Sequence, residues 1–381
     1  MKKLILAMFV AGAVSAPAIA SNVQLYGVLD TSIGIQHIDV TGQESTTKTS
    51  LDSGRFKGSR WGIKGGETLS ADYKVSFVLE GGLNHDTGEQ TLGRLFGRES
   101  SLSLHTPYGT IGMGRLGNLT SFNGSYTLLG PNVSPFSAAL GIAGHMTAFA
   151  GQARHNNSFT YRSPTWSGWT GYVHYALQAS DAEESSTGNN DRQTGVGVTF
   201  RYATSYLAVI AEEDRYANST KPNQKNARLF TLAGHHKFGV TKVFLGGQYL
   251  HDVPQFGTPP AHDPAAIKAA TPALGGALTG FTGLVGVSHP IGGGMAKAQV
   301  SYANVDDNSY RAPNRDRNIE RVIVGVGYEY PLSKRTGFYT QLNYGHMKES
   351  ASFSGSGKAM WYTGEKTTKI TQFFLGMYHQ F

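Results

Sequence analysis

The chain has no cysteine, little charge and no long apolar run beyond its first twenty residues, and each absence excludes a class of protein. Without cysteine there is no disulfide, which excludes a small secreted scaffold held by cross-links. Charged residues make up 15% of the 381 residues, and mean hydropathy is −0.27. After residue 20 no segment approaches the roughly 20 apolar residues that a membrane-spanning helix needs. What remains is a large soluble protein or a membrane β-barrel, in which only alternate residues face lipid.

The N-terminus carries the pattern of an export signal. Two lysines after Met1 are followed by the uncharged apolar stretch Leu4–Val14 and by Ala18-Ile19-Ala20, a small-x-small cleavage site. The pattern predicts a secretory signal peptide over residues 1–20, too short for a membrane helix. We expect residues 21–381 to form one domain, because no Pro/Gly-rich linker divides them.

The mature chain is moderately basic. Removing the two lysines of the signal lowers the 33 Lys and Arg residues to 31, against 26 acids, for a net charge of about +5. A basic chain can bind nucleic acid, but here the basic residues are dispersed and the chain is exported. Nucleic acid is therefore excluded as a partner.

The C-terminus shows the alternation of a membrane strand. Phe373, Leu375, Met377 and Phe381 share one parity, so they lie on one face of an extended strand that ends the chain on an aromatic residue. A strand that closes a barrel can expose such a row, because lipid covers the outer face. The alternative is an edge strand of a soluble sandwich.

Similar period-2 segments recur along the whole chain, separated by connections of two kinds. Seven are short and rich in turn residues: 68–71, 106–109, 164–168, 203–205, 237–240, 290–294 and 331–334. Eight are long and mostly polar: 39–56, 82–96, 116–155, 179–192, 213–227, 251–279, 304–320 and 348–367. Fifteen connections predict an all-β fold, a sixteen-stranded antiparallel transmembrane β-barrel with short periplasmic turns and long extracellular loops.

Several short sequences resemble those of beta-proteobacterial general porins. They lie in family order along the mature chain: Leu25–Asp30 (LYGVLD), Ser59–Gly65 (SRWGIKG), Gly93–Arg98 (GRLFGR), Gly112–Arg115 (GMGR), Phe159–Pro164 (FTYRSP), Tyr330–Thr336 (YPLSKRT) and Gly376–Phe381 (GMYHQF). Each alone is a weak signal, and together they are strong. The resemblance implies a sixteen-stranded porin of the bacterial outer membrane, usually a homotrimer, with its third loop folded into the lumen.

The resemblance also implies partners and a mode of action. A porin is a passive diffusion channel for small hydrophilic solutes and ions, without cofactor, catalysis or energy input. We expect contact with outer-membrane lipid and lipopolysaccharide, and recognition by the barrel-assembly machinery through the terminal Phe381.

The third long connection is unusual because it carries no charge. The segment from Leu116 to Ala153 contains no Asp, Glu, Lys or Arg, and Arg115 and Arg154 flank it. A long, apolar, uncharged segment packs more readily than it is solvated. It is therefore expected to lie against the inner wall and narrow the channel. The alternative is an apolar loop tip outside the barrel or at a trimer contact.

Basic residues on lumen-facing parities predict a constriction wall. The best candidates are Arg60, Arg98 and Arg154, followed by Lys57, Lys74, Arg115 and Arg162. Aligned cations in a narrow aqueous passage favour small anions. For each residue the alternative is a side chain that snorkels at a strand end or forms a salt bridge. Glu80 and Glu99 are candidates to pair with this wall and weaken its field.

Signals for other functions are weak. The chain contains neither Gly-x-Ser-x-Gly nor His-Glu-x-x-His, and His235 and His236 point to opposite faces of a strand. We therefore expect no catalytic, cofactor or metal site, and solvated loop acids instead of a calcium site. An outer-membrane barrel enzyme, either a protease or a lipase, and a surface adhesin are the alternative functions.

Overall fold

The computed structural model describes residues 22–137, 141–177, 179, 190–217, 225–254, 277–308, 315–353 and 364–381. Within them the strands are β1 Gln24–Val40, β2 Thr46–Ser53, β3 Arg60–Thr68, β4 Lys74–Asn84, β5 Glu89–Gln90, β6 Glu99–Thr106, β7 Gly109–Gly117, β8 Arg154–Arg162, β9 Trp169–Ala176, β10 Arg192–Tyr202, β11 Ser205–Arg215, β12 Ala227–Phe238, β13 Thr241–Val253, β14 Leu278–Ile291, β15 Gly294–Asp307, β16 Arg315–Pro331, β17 Thr336–Phe353 and β18 Gly364–Gln380. A 3₁₀ turn, Gly130–Asn132, and a short helix α1, His145–Ala148, lie between β7 and β8. The predicted signal peptide lies outside the described residues and stays a prediction.

The strands form one antiparallel sheet that closes on itself. The last strand, β18, pairs with β1 from Val28 opposite Gln380 to Val40 opposite Thr368. Strands β2 and β3 both pair with β1 and together make one interrupted wall strand, while the two-residue β5 pairs with the end of β4. The wall therefore has sixteen strands and no free edge, as the sequence predicts.

Among the described residues no helix is long and apolar enough to cross a membrane.

Alternation along each strand separates an outer from an inner face. On β18, Phe373, Leu375 and Met377 are exposed on the outside, whereas Gln372 and Phe374 are buried inside. The outer face thus offers apolar side chains to lipid, and the inner face holds polar and packed groups. At the rim of short turns, large aromatic side chains stand exposed, as in an interfacial girdle: Tyr108, Trp166, Tyr202 and Phe238.

The long connections are shorter than the sequence indicated. Residues 46–53, expected inside the first long loop, form β2 and pair with β1, which leaves a loop of 41–45 on that hairpin. Likewise β16 and β17 extend into the expected loops 304–320 and 348–367. These segments are polar, and a polar composition alone does not distinguish a loop from a strand that extends beyond the lipid. Neighbouring strands can continue their backbone pairing beyond the lipid, where polar side chains are favourable on both faces.

Candidate pore constriction

The described residues of the third loop, 118–137 and 141–153, lie inside the barrel and pack on its wall. Its apolar side chains are almost wholly buried against wall residues, in two clusters. The loop contributes Leu119, Leu128, Leu129, Val133, Phe136, Ile142, Ala143, Ala148 and Phe149, and the wall contributes Tyr206, Ala208, Ile210, Ala233, Leu284 and Ile323. The loop therefore occupies part of the lumen, as expected from its lack of charge.

Inward-facing glycines make room for this loop. A methyl group on Gly246 would come within 2.7 Å of the Phe149 ring, and one on Gly325 within 2.3 Å of the Ala143 side chain. Both distances are shorter than packed carbon atoms allow. At these two positions the absence of a wall side chain lets the third loop approach the wall closely.

Glu212 on β11 anchors the start of the loop. One carboxylate oxygen accepts the backbone N–H of Leu119 at 2.8 Å, and the other accepts the Thr120 hydroxyl at 2.5 Å and the Asn118 amide at 3.2 Å. The Glu212 side chain is buried, and these contacts satisfy it. A single wall carboxylate therefore fixes three consecutive loop residues.

Wall glutamines anchor the rest of the loop. Gln299 accepts the Ser134 hydroxyl at 2.7 Å, Gln372 accepts the Ile142 N–H at 3.1 Å, and Gln248 accepts the Ala150 N–H at 2.7 Å. These neutral side chains pair loop groups that have left water. We call the wall residues beneath the loop the covered surface: Tyr206, Ala208, Ile210, Glu212, Ala233, Gln248, Leu284, Gln299, Ile323 and Gln372.

A cavity of about 930 Å³ lies between the loop and the wall near the short-turn rim, and we call it the passage. Residues of the loop, including Pro131 and Ser134, form one side. Four basic side chains and one carboxylate line it, and we call them the open surface: Lys57, Arg60, Lys242, Lys297 and Glu329. The loop side carries no charge of its own, so the wall sets the sign of the field.

The two carboxylates nearest the basic residues are already engaged. Glu80 on β4 accepts Arg98 Nε at 2.6 Å and lies 3.4 Å from Arg60 Nε. Glu329 accepts Lys297 Nζ at 2.7 Å and lies 3.7 Å from Lys57 Nζ. Each carboxylate is shared by two cations, so each group of three keeps a net positive charge.

The three leading sequence candidates take different positions. Arg60 lines the passage, and its guanidinium also donates to the carbonyl of Lys57 at 2.6 Å. Arg98 is nearly buried behind Glu80, and Arg154 stacks 4.6 Å from the centroid of the Phe122 ring in the third loop. Arg60 is thus the one of the three that lines the passage, while the other two stand behind it and beside the loop.

The remaining candidates lie further away. Lys74 is exposed at the short-turn end of β4, opposite His105, and Arg162 lies at the same rim with its guanidinium 3.4 Å from the Thr110 hydroxyl. Arg115 lies at an irregularity in the pairing of β7 with β8 and donates to the carbonyl of Gly97 at 2.9 Å and to Asn156 at 2.7 Å. Its contacts connect the segment between β5 and β6 to strand β8.

Sequence reasoning missed Lys242 and Lys297. Both lie on the inward parity, since buried Phe244 follows Lys242 by two residues and buried Gln299 follows Lys297 by two. That parity could have identified them, but neither residue belongs to a recognisable family sequence. Lys57 was a second-rank candidate and lines the passage.

Glu99, expected to act on the basic wall, also contacts the third loop. It accepts the Ser101 hydroxyl at 2.7 Å and the Ser125 hydroxyl at 2.6 Å, and so holds the third loop. Nearby, the Tyr126 hydroxyl pairs with Ser103 Oγ at 2.7 Å. Burial raises the pKa of the Tyr126 hydroxyl, which therefore stays neutral and adds no charge to the loop. In the described part of the chain no three His, Asp or Glu side chains gather as a metal site.

The sequence profile of the Gram-negative porin family matches residues 5–350, so the chain belongs to that family. Among curated proteins it is 28% identical to an outer-membrane porin protein of Bordetella pertussis, over 94% of this chain and 97% of the relative. It is 26% identical to outer membrane porin protein 32 of Delftia acidovorans, over the full length of both chains.

Solved structures show the same fold. The chain matches an anion-selective porin from Comamonas acidovorans with a TM-score of 0.63 and 22% identity, over 95% of this chain and all of that one. It also matches the trimer form of OmpT of Vibrio cholerae with a TM-score of 0.58 and 14% identity, over 95% and 100% of the two chains. The protein is an outer-membrane porin, a passive diffusion channel for small hydrophilic solutes.

Proposed function

We propose that this porin prefers small anions and that the open surface sets the preference. The observation that carries the proposal is the lining of the passage, with Lys57, Arg60, Lys242 and Lys297 against the single acid Glu329. In a narrow passage between low-dielectric walls, such an excess of cations concentrates anions and repels cations. Arg98 and Arg154 add to this field from behind Glu80 and from the side of the loop.

Planar-bilayer recording in a KCl gradient tests the preference. The zero-current potential should have the sign of chloride permeating faster than potassium. Because salt screens charges over about 10 Å at 0.1 M and about 3 Å at 1 M, the preference should shrink as salt rises at a constant gradient. A cation preference, or a preference insensitive to salt, would contradict the proposal.

The channel is further proposed to act as a homotrimer. The outer face carries apolar residues that suit contact with lipid, lipopolysaccharide or a neighbouring subunit. Unheated samples in mild detergent should migrate as a heat-sensitive oligomer. A folded species that migrates only as a monomer before heating would count against it.

Phe381 is proposed to guide insertion by the barrel-assembly machinery. In the finished barrel the Phe381 N–H donates to the carbonyl of Gly27 at 3.1 Å, and the Phe381 carbonyl accepts the Gly27 N–H at 3.2 Å. Because these backbone groups are paired with Gly27, we expect the assembly machinery to recognise the aromatic ring. Deleting Phe381 should reduce the amount inserted in the outer membrane. Phe373→Ala, which also removes an outward aromatic ring of β18, is the matched control and should insert nearly normally. Equal membrane levels of the two variants would contradict the role.

A further inference from the structure

The wall strand made of β2 and β3 is interrupted by residues 54–59, which we call the inner turn. Two glycines with left-handed backbones bound its curve, Gly54 at φ +74° and Gly58 at φ +49°. Between them Phe56 enters the lumen and stacks on Tyr339 at 4.9 Å between ring centroids. The lumen therefore holds a second internal segment besides the third loop, and this one is built from the wall itself.

Asp30 on β1 holds the inner turn. One carboxylate oxygen accepts the backbone N–H groups of Phe56 at 2.7 Å and of Lys57 at 2.5 Å. The other accepts the Tyr339 hydroxyl at 2.7 Å. The backbone of Asp30 takes part as well, because its carbonyl accepts the Gly54 N–H at 2.7 Å and its N–H donates to Ser59 Oγ at 3.0 Å. One residue thus contacts the turn at both of its ends and at its apex.

The inner turn in turn places two cations of the passage. Lys57 belongs to it, and its Nζ lies 3.7 Å from the centroid of the Tyr378 ring and 3.7 Å from Glu329. The Arg60 guanidinium donates to the turn carbonyls of Lys57 at 2.6 Å and Gly58 at 2.9 Å. The position of both cations therefore depends on the conformation of residues 54–59.

We propose that Asp30 is a positioning residue for ion selectivity, acting through the inner turn on Lys57 and Arg60. This rests on the proposed anion preference. Asp30 is fully buried and does not line the passage, so permeating ions do not touch it. Its effect on selectivity comes from where it holds the two cations, and the third loop plays no part in these contacts.

In an Asp30 variant, the direction in which the anion preference changes distinguishes a positioning role from a direct effect of the Asp30 charge. Asp30→Ala removes a carboxylate, which through charge alone would leave the anion preference unchanged or raise it. It also leaves two backbone N–H groups without their acceptor, which releases the turn. We expect the zero-current potential to move toward zero, because Lys57 and Arg60 leave their places.

Asp30→Asn and Tyr339→Phe are the matched controls. The asparagine carbonyl can still accept the two N–H groups, so the preference should return to that of the unmodified pore although the charge is gone. Tyr339→Phe keeps the ring beside Phe56 and removes one donor to Asp30, so its effect should be small. An unchanged or raised anion preference in Asp30→Ala, or equal losses in Asp30→Ala and Asp30→Asn, would overturn the proposal.

A second measurement does not depend on the selectivity of the unmodified pore. Because the chain has no cysteine, Lys57→Cys introduces a single thiol, whose modification in the lumen by a charged methanethiosulfonate can be followed as a change in current. Adding Asp30→Ala should alter the modification rate several-fold, and adding Asp30→Asn should not. Equal rates in all three backgrounds would show that Asp30 does not hold the turn.

The two measurements also separate the proposals. If the unmodified pore shows no anion preference, the proposed function fails, while the thiol rates still report on the turn. If Asp30→Ala does not insert, Ser59→Ala, which removes the hydroxyl that pairs with the Asp30 backbone, should shift both readouts in the same direction by less. No shift in either readout for an inserted Ser59→Ala pore would then contradict the role of Asp30.

Discussion

The covered surface and the open surface belong to the same barrel but differ in how they use polar groups. Beneath the third loop, neutral glutamines and the buried Glu212 pair with loop backbone and hydroxyl groups, and Arg321 of β16 donates to the carbonyl of Thr147. Along the passage, Lys57, Arg60 and Lys297 share carboxylates yet keep a net positive charge. A polar group buried beneath the loop must find a hydrogen-bond partner there, whereas side chains that face water can carry an excess of positive charge. The proposed path of the ions therefore follows the open surface, where an excess of positive charge remains in contact with water.

The largest effect is expected from removing the anchor of the covered surface. Glu212→Ala leaves the Leu119 N–H without its acceptor, at a cost of about 1–3 kcal/mol if that group stays buried. It also removes one acceptor each from the Thr120 hydroxyl and the Asn118 amide, which keep the carbonyl of Gly151. The start of the third loop should then leave the wall to find water. Single-channel recording should show larger and noisier conductance, and the folded band on gels should be lost at a lower temperature.

Glu212→Gln is the control for that change. It keeps one carbonyl acceptor of similar shape, so its conductance should lie between those of the unmodified pore and Glu212→Ala. Unmodified conductance and heat stability in Glu212→Ala would show that the loop does not depend on this anchor.

Two adjacent glycines on β13 give a sharper comparison of the two faces. Gly246→Val places a side chain where even a methyl group would lie 2.7 Å from Phe149, whereas at Gly247 the nearest atom is 3.9 Å away. Overpacking of this kind typically costs about 1–3 kcal/mol, so Gly246→Val should displace the loop and lower heat stability. Gly247→Val, facing outward beside Leu245, should leave conductance unchanged. Identical behaviour of the two variants would mean that the loop does not press on this wall.

A smaller effect on the pore is expected from neutralising Arg98, which stands behind Glu80 beside the open surface. The change leaves Glu80 shared only between Arg60 and the Tyr26 hydroxyl, so the group loses its net positive charge. The zero-current potential in a KCl gradient should move toward zero in Arg98→Ser, with a modest change in conductance and an intact fold. A potential equal to that of the unmodified pore would place the selective charges elsewhere, for example at Lys242 and Lys297.

The smallest effect is expected from Arg115→Ser. This variant removes the same charge as Arg98→Ser, but Arg115 does not line the passage and donates to Gly97 and Asn156. Its zero-current potential should match that of the unmodified pore within error. A shift as large as that of Arg98→Ser would show that the field of the passage does not depend on the residues that line it or stand directly behind them.

Much of the barrel could be predicted from period-2 patterning and turn residues, because lipid requires an apolar outer face on every strand. The packed position of the third loop also followed from one observation, its lack of charge. The interruption at residues 54–59 could not be predicted, since it depends on Asp30, which lies 24 residues earlier and contacts the turn only after β1 and β2 pair. Lys242 and Lys297 were missed for a related reason. The alternation along a strand shows which side chains face the lumen. Which of these line the passage depends on the path of the third loop, which the alternation does not reveal.

The most direct test of this account compares thiol accessibility on the two surfaces. In the cysteine-free chain, Arg60→Cys puts a single thiol on the open surface, and Ala233→Cys puts one beneath the third loop. A charged methanethiosulfonate added to open channels should change the current rapidly for Arg60→Cys and hardly at all for Ala233→Cys. Rapid modification of Ala233→Cys, or protection of Arg60→Cys, would show that ions do not follow the charged side of the barrel.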